Sequence, residues 1–361
     1  MSDKTGIEEL ARALVATGTE IVSSGGTAQV LEAAGVPVTP VEKVTGAPEM
    51  LGGRVKTLHP LIHGGILADR GEPSHLREIE KLGIAPIDLV VVDLYPFALA
   101  LAEGHGETEL IEHIDIGGVA LIRAAAKNWR AVTVVVSPES YPELLEVVRS
   151  GGPSLELRRE LALVAFSHTA AYDATIARYL AGNESLGDRL VISAPKMLDL
   201  RYGENPHQRA ALYEGFGSGI GSSTQLGGKE LSYNNLLDAD AAWGLATSIE
   251  PPAAVIVKHT NPCGAASANS LESALRRARA CDESSAFGGI VALNETCDGM
   301  AARAIVETFF EVVVAPAYDP GALDILRQKK QLRVLAAEAP SAAVELRSIS
   351  GGLLVQSCDE V

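Results

Sequence analysis

Short runs of β-branched and aliphatic residues restrict this chain to one class of fold. Leu89–Leu94, Ala131–Val136, Ala253–Val257, Ile290–Leu293, Glu311–Pro316 and Leu332–Ala336 are short, mostly apolar stretches. Runs of that length and composition suit strands buried on both faces of a sheet. Helical spacing fills the intervals. Ile7, Leu10, Ala11, Leu14 and Val15 share a face, and Gly18 supplies a stop. A short strand over Thr19–Val22 leads through the turn Ser23–Thr27 into a helix ending near Ala34. Residues 155–181 are expected to be mainly helical, as are Asp238–Ser248 and a segment ending at Lys330. Strand and helix alternate, which predicts an α/β protein. A length of 361 residues favours two domains. The extended stretch Val191–Leu200, carrying Pro195, is the natural break, giving domains 1–191 and 192–361.

Composition narrows the partners. Thirty Lys plus Arg against 46 Asp plus Glu leave a net charge of −16, which repels nucleic acid and anionic membrane surfaces. Aromatic residues are 4% of the chain, too few for binding single strands by base stacking. No apolar run approaches a membrane span, and the first residues lack a charged-then-apolar export pattern. A cytoplasmic protein is expected. Cys263, Cys281, Cys297 and Cys358 show no paired metal-site spacing, so reduced structural thiols are expected.

Any anion site must then be a local basic pocket in an acidic body. Arg54–Gly65 packs Arg54, Lys56, Thr57, His59 and His63 around Pro60, with Gly64 and Gly65 at its end. Fixed φ at the proline and free φ at the glycines suit a loop bent around an anionic small molecule. Ser24-Gly25-Gly26-Thr27 offers backbone N–H groups at a helix start, a phosphate-favouring arrangement or a plain structural turn. Tyr95 follows the strand Leu89–Leu94, where ligand crevices open in α/β sheets, or else plugs the sheet edge. Asp115 either serves chemistry or caps the helix that carries Arg123 and Lys127.

In the second half, Lys258 and His259 stand where a buried strand ends, their side chains expected against the apolar body. Burial lowers a lysine's pKa and histidine titrates near neutrality, so the pair can move a proton and stabilise a developing oxyanion. A surface lysine beside a capping histidine is the bland alternative. Pro262-Cys263 resembles a fragment of a zinc-deaminase motif, but the second cysteine and the His-x-Glu are absent, and no metal is expected. Walker loops, nucleophile elbows and His-Glu-x-x-His are absent too.

Several longer motifs, in order, resemble one family. They are Ser-Asp-Lys-Thr-Gly at 2–6, Ser-Gly-Gly-Thr at 24–27, Gly-Gly-Arg-Val-Lys-Thr-Leu-His-Pro at 52–60 and Leu-Tyr-Pro-Phe at 94–97. Asp-Ile-Gly-Gly at 115–118, Ala-Ala-Lys-Asn at 125–128 and Arg-Tyr-Gly-Glu-Asn-Pro-His-Gln at 201–208 follow. Leu-Ser-Tyr-Asn-Asn at 231–235, Val-Lys-His at 257–259 and Ser-Ala-Phe-Gly-Gly at 285–289 complete the set. The chain is similar to the bifunctional purine-biosynthesis proteins that join AICAR transformylase to IMP cyclohydrolase.

That resemblance implies a methylglyoxal-synthase-like cyclohydrolase domain followed by part of a cytidine-deaminase-like transformylase domain without zinc. It implies that Lys4, Thr5 and Ser24, Gly25, Gly26 and Thr27 hold a 5′-phosphate with Arg54, Lys56 and Thr57. Lys56, Tyr95, Asp115 and Lys127 match cyclohydrolase catalytic positions, and Lys258 and His259 the transformylase pair. Arg201, Tyr202, Asn234, Asn235, Phe287, Gly288 and Glu311 fall where the family contacts AICAR. The expected substrates are AICAR, formyl-AICAR, IMP and folate, with 10-formyltetrahydrofolate as co-substrate, no tightly bound cofactor, and a homodimeric assembly. Family members carry an apolar strand before residue 2 and run well beyond residue 361, into a second deaminase-like subdomain. A weakened cyclohydrolase and no transformylase are therefore expected of an isolated chain of this length. A non-catalytic phospho-ligand sensor and a methylglyoxal synthase are the other readings. The retained lysines, Asp115 and His259 speak against the first, and Ser24–Thr27, lacking carboxylates, against the second.

Overall fold

A computed structural model describes residues 1–182, 186–215, 217–341 and 344–359. Two compact units form, one from Met1–Gly182 with Val191–Ser193 and one built on Ala194–Val361. No helix of the described residues is long and apolar enough to cross a membrane.

In the first unit the helix Ile7–Ala16 buries Ile7, Leu10, Ala11 and Leu14, the i, i+3, i+4, i+7 stripe expected of it. Val15 is only partly buried, at the edge of that stripe. The strand expected over Thr19–Val22 is instead Val22–Ser23, paired in parallel with Thr39–Pro40. The buried runs are also shorter than their apolar lengths. Leu89–Val91 pairs in parallel with Thr133–Val135, and one further bond, Val92 N to Val135 O, continues the ladder. The helix Gly117–Lys127 packs Ile122 and Ala124–Ala126 against Ala162 and Ala165 of the long helix Leu155–Ala181. Ser154 caps that long helix by accepting the Leu157 amide.

The stretch 54–65 is less loop-like than its composition suggests. Pro60–Leu67 is a helix that buries Ile62, Gly65 and Ile66. Pro60 occupies the first helical turn, where its missing N–H is harmless, and the His59 ring nitrogen caps it by accepting from Leu61 at 3.2 Å. Gly65 is there for close packing, not for bending. A Cβ on it would lie 2.4 Å from the carbonyl oxygen of Ala85.

The second unit is built on a six-stranded sheet with helices on both faces, and the antiparallel pairs Lys196–Leu200 with Ala210–Tyr213 and Val344–Ile349 with Gly352–Ser357 stand outside it. The strand order of the sheet is Thr224–Gly227, Arg333–Ala336, Val312–Ala315, Ile290–Leu293, Ala253–Lys258, Asn261–Ser267. The second, third and fourth of these pair in parallel, and the others join antiparallel. Alternation sorts the side chains. Val255, Val257, Ile290, Val312 and Leu335 face the helix Tyr233–Thr247, with Trp243 in the same cluster. Ala254, Ile256, Val291, Val313 and Val334 face the helices Leu271–Cys281, Gly299–Val306 and Pro320–Arg327. At Gly264 the strand Asn261–Ser267 comes so close to Leu271–Cys281 that a Cβ would sit 1.9 Å from Ala278 O.

The helix expected to begin at Asp238 begins at Tyr233. Ser232 and Asn235 form a reciprocal capping box, each side chain accepting the other's backbone amide at 3.2 Å. Asn234 and Asn235 therefore stand in the first helical turn.

Candidate functional site

In the first unit, three separated segments meet at the starts of two helices. The helix Gly25–Ala33 begins after Ser24, whose side chain makes no cap bond, so its first amides face outward without that partner. The Lys56 ammonium stands 3.3 Å from where a Cβ on Gly25 would lie, and the Lys4 side chain 3.8 Å from that point on Gly26. Glycine is required at the first of these, where φ is +55° and a side chain would press on the lysine. Glu49 holds the same ammonium at 3.1 Å. Thr57 Oγ1 lies 3.2 Å from the Cβ position of Gly117, at the start of the helix Gly117–Lys127. Two positive helix ends and two lysines thus converge, the arrangement an anion needs.

Asp115 is held at the same helix start. Its carboxylate accepts from Gly118 N at 2.7 Å, as a cap would, although the helix proper starts at Gly117. Its own amide donates to Tyr172 Oη at 2.7 Å, and the Tyr172 hydroxyl donates to His113 O at 2.6 Å. Burial pushes the Tyr172 phenol up to about 12, so it stays a neutral donor at any physiological pH. From its spacing in the helical residues 155–181, Tyr172 reads as a packing residue.

Other members of the expected set are placed apart. Arg54 pairs with Glu112, both exposed. Tyr95 is exposed beyond its strand. Lys127 ends the helix Gly117–Lys127, about 15 Å from its start along an axis rising 1.5 Å per residue. It lines a cavity of about 630 Å³ with His63, Leu67, Arg123, Trp129 and Phe166.

In the second unit the expected residues share one edge of the sheet. Val257 pairs with Ile290, Ile290 with Val312, and Val312 with Arg333. Lys258, Gly289 and Glu311 therefore lie along one row, at the N-terminal ends of the parallel strands, and Arg333 stands one position further in, opposite Val312. Hydrogen bonds stitch this row together. Lys258 Nζ donates to Phe287 O at 2.9 Å, Gly288 N to Phe309 O at 2.8 Å, and Glu311 N to Gly289 O at 3.0 Å. The Phe287 and Phe309 rings pack at 5.4 Å.

Asn235 Nδ2 donates to Glu311 Oε2 at 2.9 Å, and Glu311 lies 3.8 Å from Arg333 Nη1. Arg333 is buried, donates to Glu230 O at 2.8 Å, and has its pKa lowered chiefly by that burial. Arg201 stacks over Tyr202 at 4.8 Å, and the Arg201 charge further lowers the Arg333 pKa. Asn234 turns away, donating to Glu204 O at 3.2 Å. Arg333 escaped sequence reasoning because an arginine inside an apolar run reads as the edge of a strand.

The expectation that Lys258 and His259 are both held against the apolar body needs correcting. Lys258 is half-buried, but His259 is exposed, in the two-residue turn between the hairpin strands. A tight hairpin places its turn residues beyond the sheet, where no second layer covers them.

Comparison with known proteins agrees with the motifs. The AICARFT/IMPCHase bienzyme family profile matches residues 125–361, and an MGS-like domain profile matches residues 6–120. The bifunctional purine biosynthesis protein PurH of Corynebacterium glutamicum is 50% identical over 366 residues, covering 99% of this chain and 70% of that protein. The PurH of a Cyanothece species is 53% identical over 371 residues, covering 99% and 72%. Among solved structures, the crystal structure of ForH is 37% identical and covers 50% of this chain and 93% of its own, with a TM-score of 0.45.

Proposed function

The chain belongs to the AICARFT/IMPCHase bienzyme family, and we propose that it acts in late purine biosynthesis by closing formyl-AICAR to IMP and by formylating AICAR. The AICAR transformylase family takes its formyl group from a folate derivative. We assign the cyclohydrolase to residues 1–191 and the first transformylase subdomain to residues 192–361.

The observation that carries the cyclohydrolase reading is the convergence of Lys4, Lys56 and Thr57 on the starts of the helices Gly25–Ala33 and Gly117–Lys127. The 5′-phosphate would lie on the amides of Ser24–Thr27 with Lys4, Thr5 and Arg54 around it. The carboxamide nitrogen then attacks the formyl carbon, a C–N bond forms, and the formyl oxygen leaves as water. Both reacting groups belong to one molecule, so most of the acceleration comes from folding it into the attacking geometry. Asp115, fixed by Gly118 and Tyr172, orients the carboxamide. Lys56 and Tyr95 stabilise the departing oxygen. Lys127, at the far end of its helix, acts with them on that oxygen.

For formyl transfer, the 5-amino group of AICAR attacks the formyl carbon of 10-formyltetrahydrofolate, a co-substrate rather than a resident cofactor. His259 takes the amino proton and Lys258 stabilises the formyl oxygen. Arg201, Tyr202, Asn234, Asn235, Phe287, Gly288 and Glu311 contact AICAR. The row Lys258–Gly289–Glu311, with Arg333 paired to Glu311 from the neighbouring position, supports this reading by keeping Lys258 and the binding side chains at one end of the strands. We also propose a cytoplasmic homodimer. Formation of inosinate from formyl-AICAR, and of formyl-AICAR from AICAR and the formyl-folate, tests the two activities separately.

A further inference from the structure

The turn that carries His259 is under backbone strain. His259 has φ of 54° and Thr260 φ of 58°, and they link Lys258 to its strand partner Asn261. A two-residue hairpin turn with both φ values positive is a type I′ geometry, which selects Asn-Gly and similar pairs. Histidine is among the residues that tolerate that region, but a β-branched threonine is an outlier there. Such a conformation persists only when its surroundings over-determine it.

Here they do. The Asp238 carboxylate accepts both turn amides, one on each oxygen, from His259 at 3.1 Å and from Thr260 at 2.7 Å. The His259 carbonyl accepts from Thr260 Oγ1 at 2.7 Å and from Asn261 Nδ2 at 2.8 Å. The backbone of His259 is pinned at both ends while its ring is left exposed. Asp238 lies on the helix Tyr233–Thr247, one turn beyond Asn235, which holds Glu311. A single helix face therefore ties down both the turn and the binding row.

We propose that Asp238 is the positioning residue for His259: its carboxylate holds the left-handed turn that aims the imidazole across the sheet edge beside Lys258. This inference rests on the formyl-transfer reading for its consequence, though not for its geometry. A carboxylate is required because both N–H groups point at one spot and only two equivalent acceptor oxygens serve both. Asparagine offers one oxygen and turns an NH₂ towards the other amide.

The test compares the wild-type chain with Asp238→Ala, Asp238→Asn and the double variant Asp238→Ala/Thr260→Gly. The His259 and Thr260 amide resonances and their φ-dependent couplings are read by NMR. In parallel, kcat and the KM for AICAR are measured in formyl transfer. Both single variants are expected to shift the two amides and move φ away from +54°. They should lower kcat by roughly a hundredfold, the usual consequence of misplacing a reacting group by an ångström, with KM and thermal midpoint nearly unchanged. The glycine variant, which occupies positive φ without strain, should recover about tenfold of the lost rate. Unmoved amides in Asp238→Ala, or an unchanged kcat, would overturn the proposal, as would a failure of Thr260→Gly to rescue. If the wild-type chain transfers no formyl group, the functional reading of this edge fails, and the amide measurement alone decides the role of Asp238.

Discussion

Tyr172 Oη accepts the amide proton of Asp115 at 2.7 Å, fixing a residue 57 positions away at the start of a different helix. The same hydroxyl gives its proton to His113 O, so one phenol ties down both sides of the segment that presents the carboxylate. Tyr172→Phe keeps the ring's packing against Phe97 and leaves two backbone groups without partners. A loss of about 1–3 kcal/mol in stability is expected from those groups. Ring closure should slow by about tenfold, with the KM for formyl-AICAR less affected. Denaturant melts and steady-state kinetics on the same protein separate the two effects.

Glu311 joins Asn235 to the buried Arg333. In Glu311→Ala the guanidinium loses its nearby counter-charge, a change that costs about 2–5 kcal/mol when the remaining charge is well buried. The expected loss is nearer the lower bound, since the Glu311 side chain is itself 44% exposed. AICAR affinity, measured by calorimetry, should fall with it. Equal affinity in wild type and variant would remove Glu311 from the binding row.

Gly264→Ala tests the packing that supports the hairpin. The new methyl would stand 1.9 Å from Ala278 O, a backbone atom that cannot swing aside. Destabilisation of at least about 1–3 kcal/mol is expected, as for overpacked cores. An alanine variant that melts with wild type would show the strand and helix to be less closely apposed.

Acid should loosen the first unit through His63 and His168. Each has a buried Nε2 without a hydrogen-bond partner, and burial lowers each pKa below the usual 6.5. The unfolded chain therefore takes up protons first, and stability is complete above about pH 6.5 and lost as pH falls through the lowered values. His168→Gln should flatten that dependence in thermal melts between neutral pH and pH 5. At the other extreme, Tyr141 and Tyr172, both pushed up to about 12, stabilise fully below pH 10, a contribution lost as pH rises through 12.

Much of the architecture was legible because burial leaves a direct imprint on residue type. The runs Ala253–Val257, Ile290–Leu293 and Glu311–Pro316 read as strands, and covered strands form at Ala253–Lys258, Ile290–Leu293 and Val312–Ala315. Boundaries failed where a short polar signal outweighed composition. Ser232 and Asn235 start a helix inside what reads as a loop, and His59 with Pro60 starts another inside the basic stretch. The candidate site residues are carried by motifs, and the residues that support them are not. Tyr172, Asp238 and Arg333 act through contacts 57, 21 and 22 positions away in the chain, and pairings of that kind have no local signature.

The most direct test of the account is ring closure by the purified chain, followed by the ultraviolet change as formyl-AICAR becomes inosinate. The wild-type protein is expected to turn over, and Lys56→Ala to be slowed at least about a hundredfold, the loss typical of removing one group that stabilises a departing oxygen. A wild-type chain no faster than buffer, or a Lys56→Ala protein as fast as wild type, would contradict the cyclohydrolase site placed here.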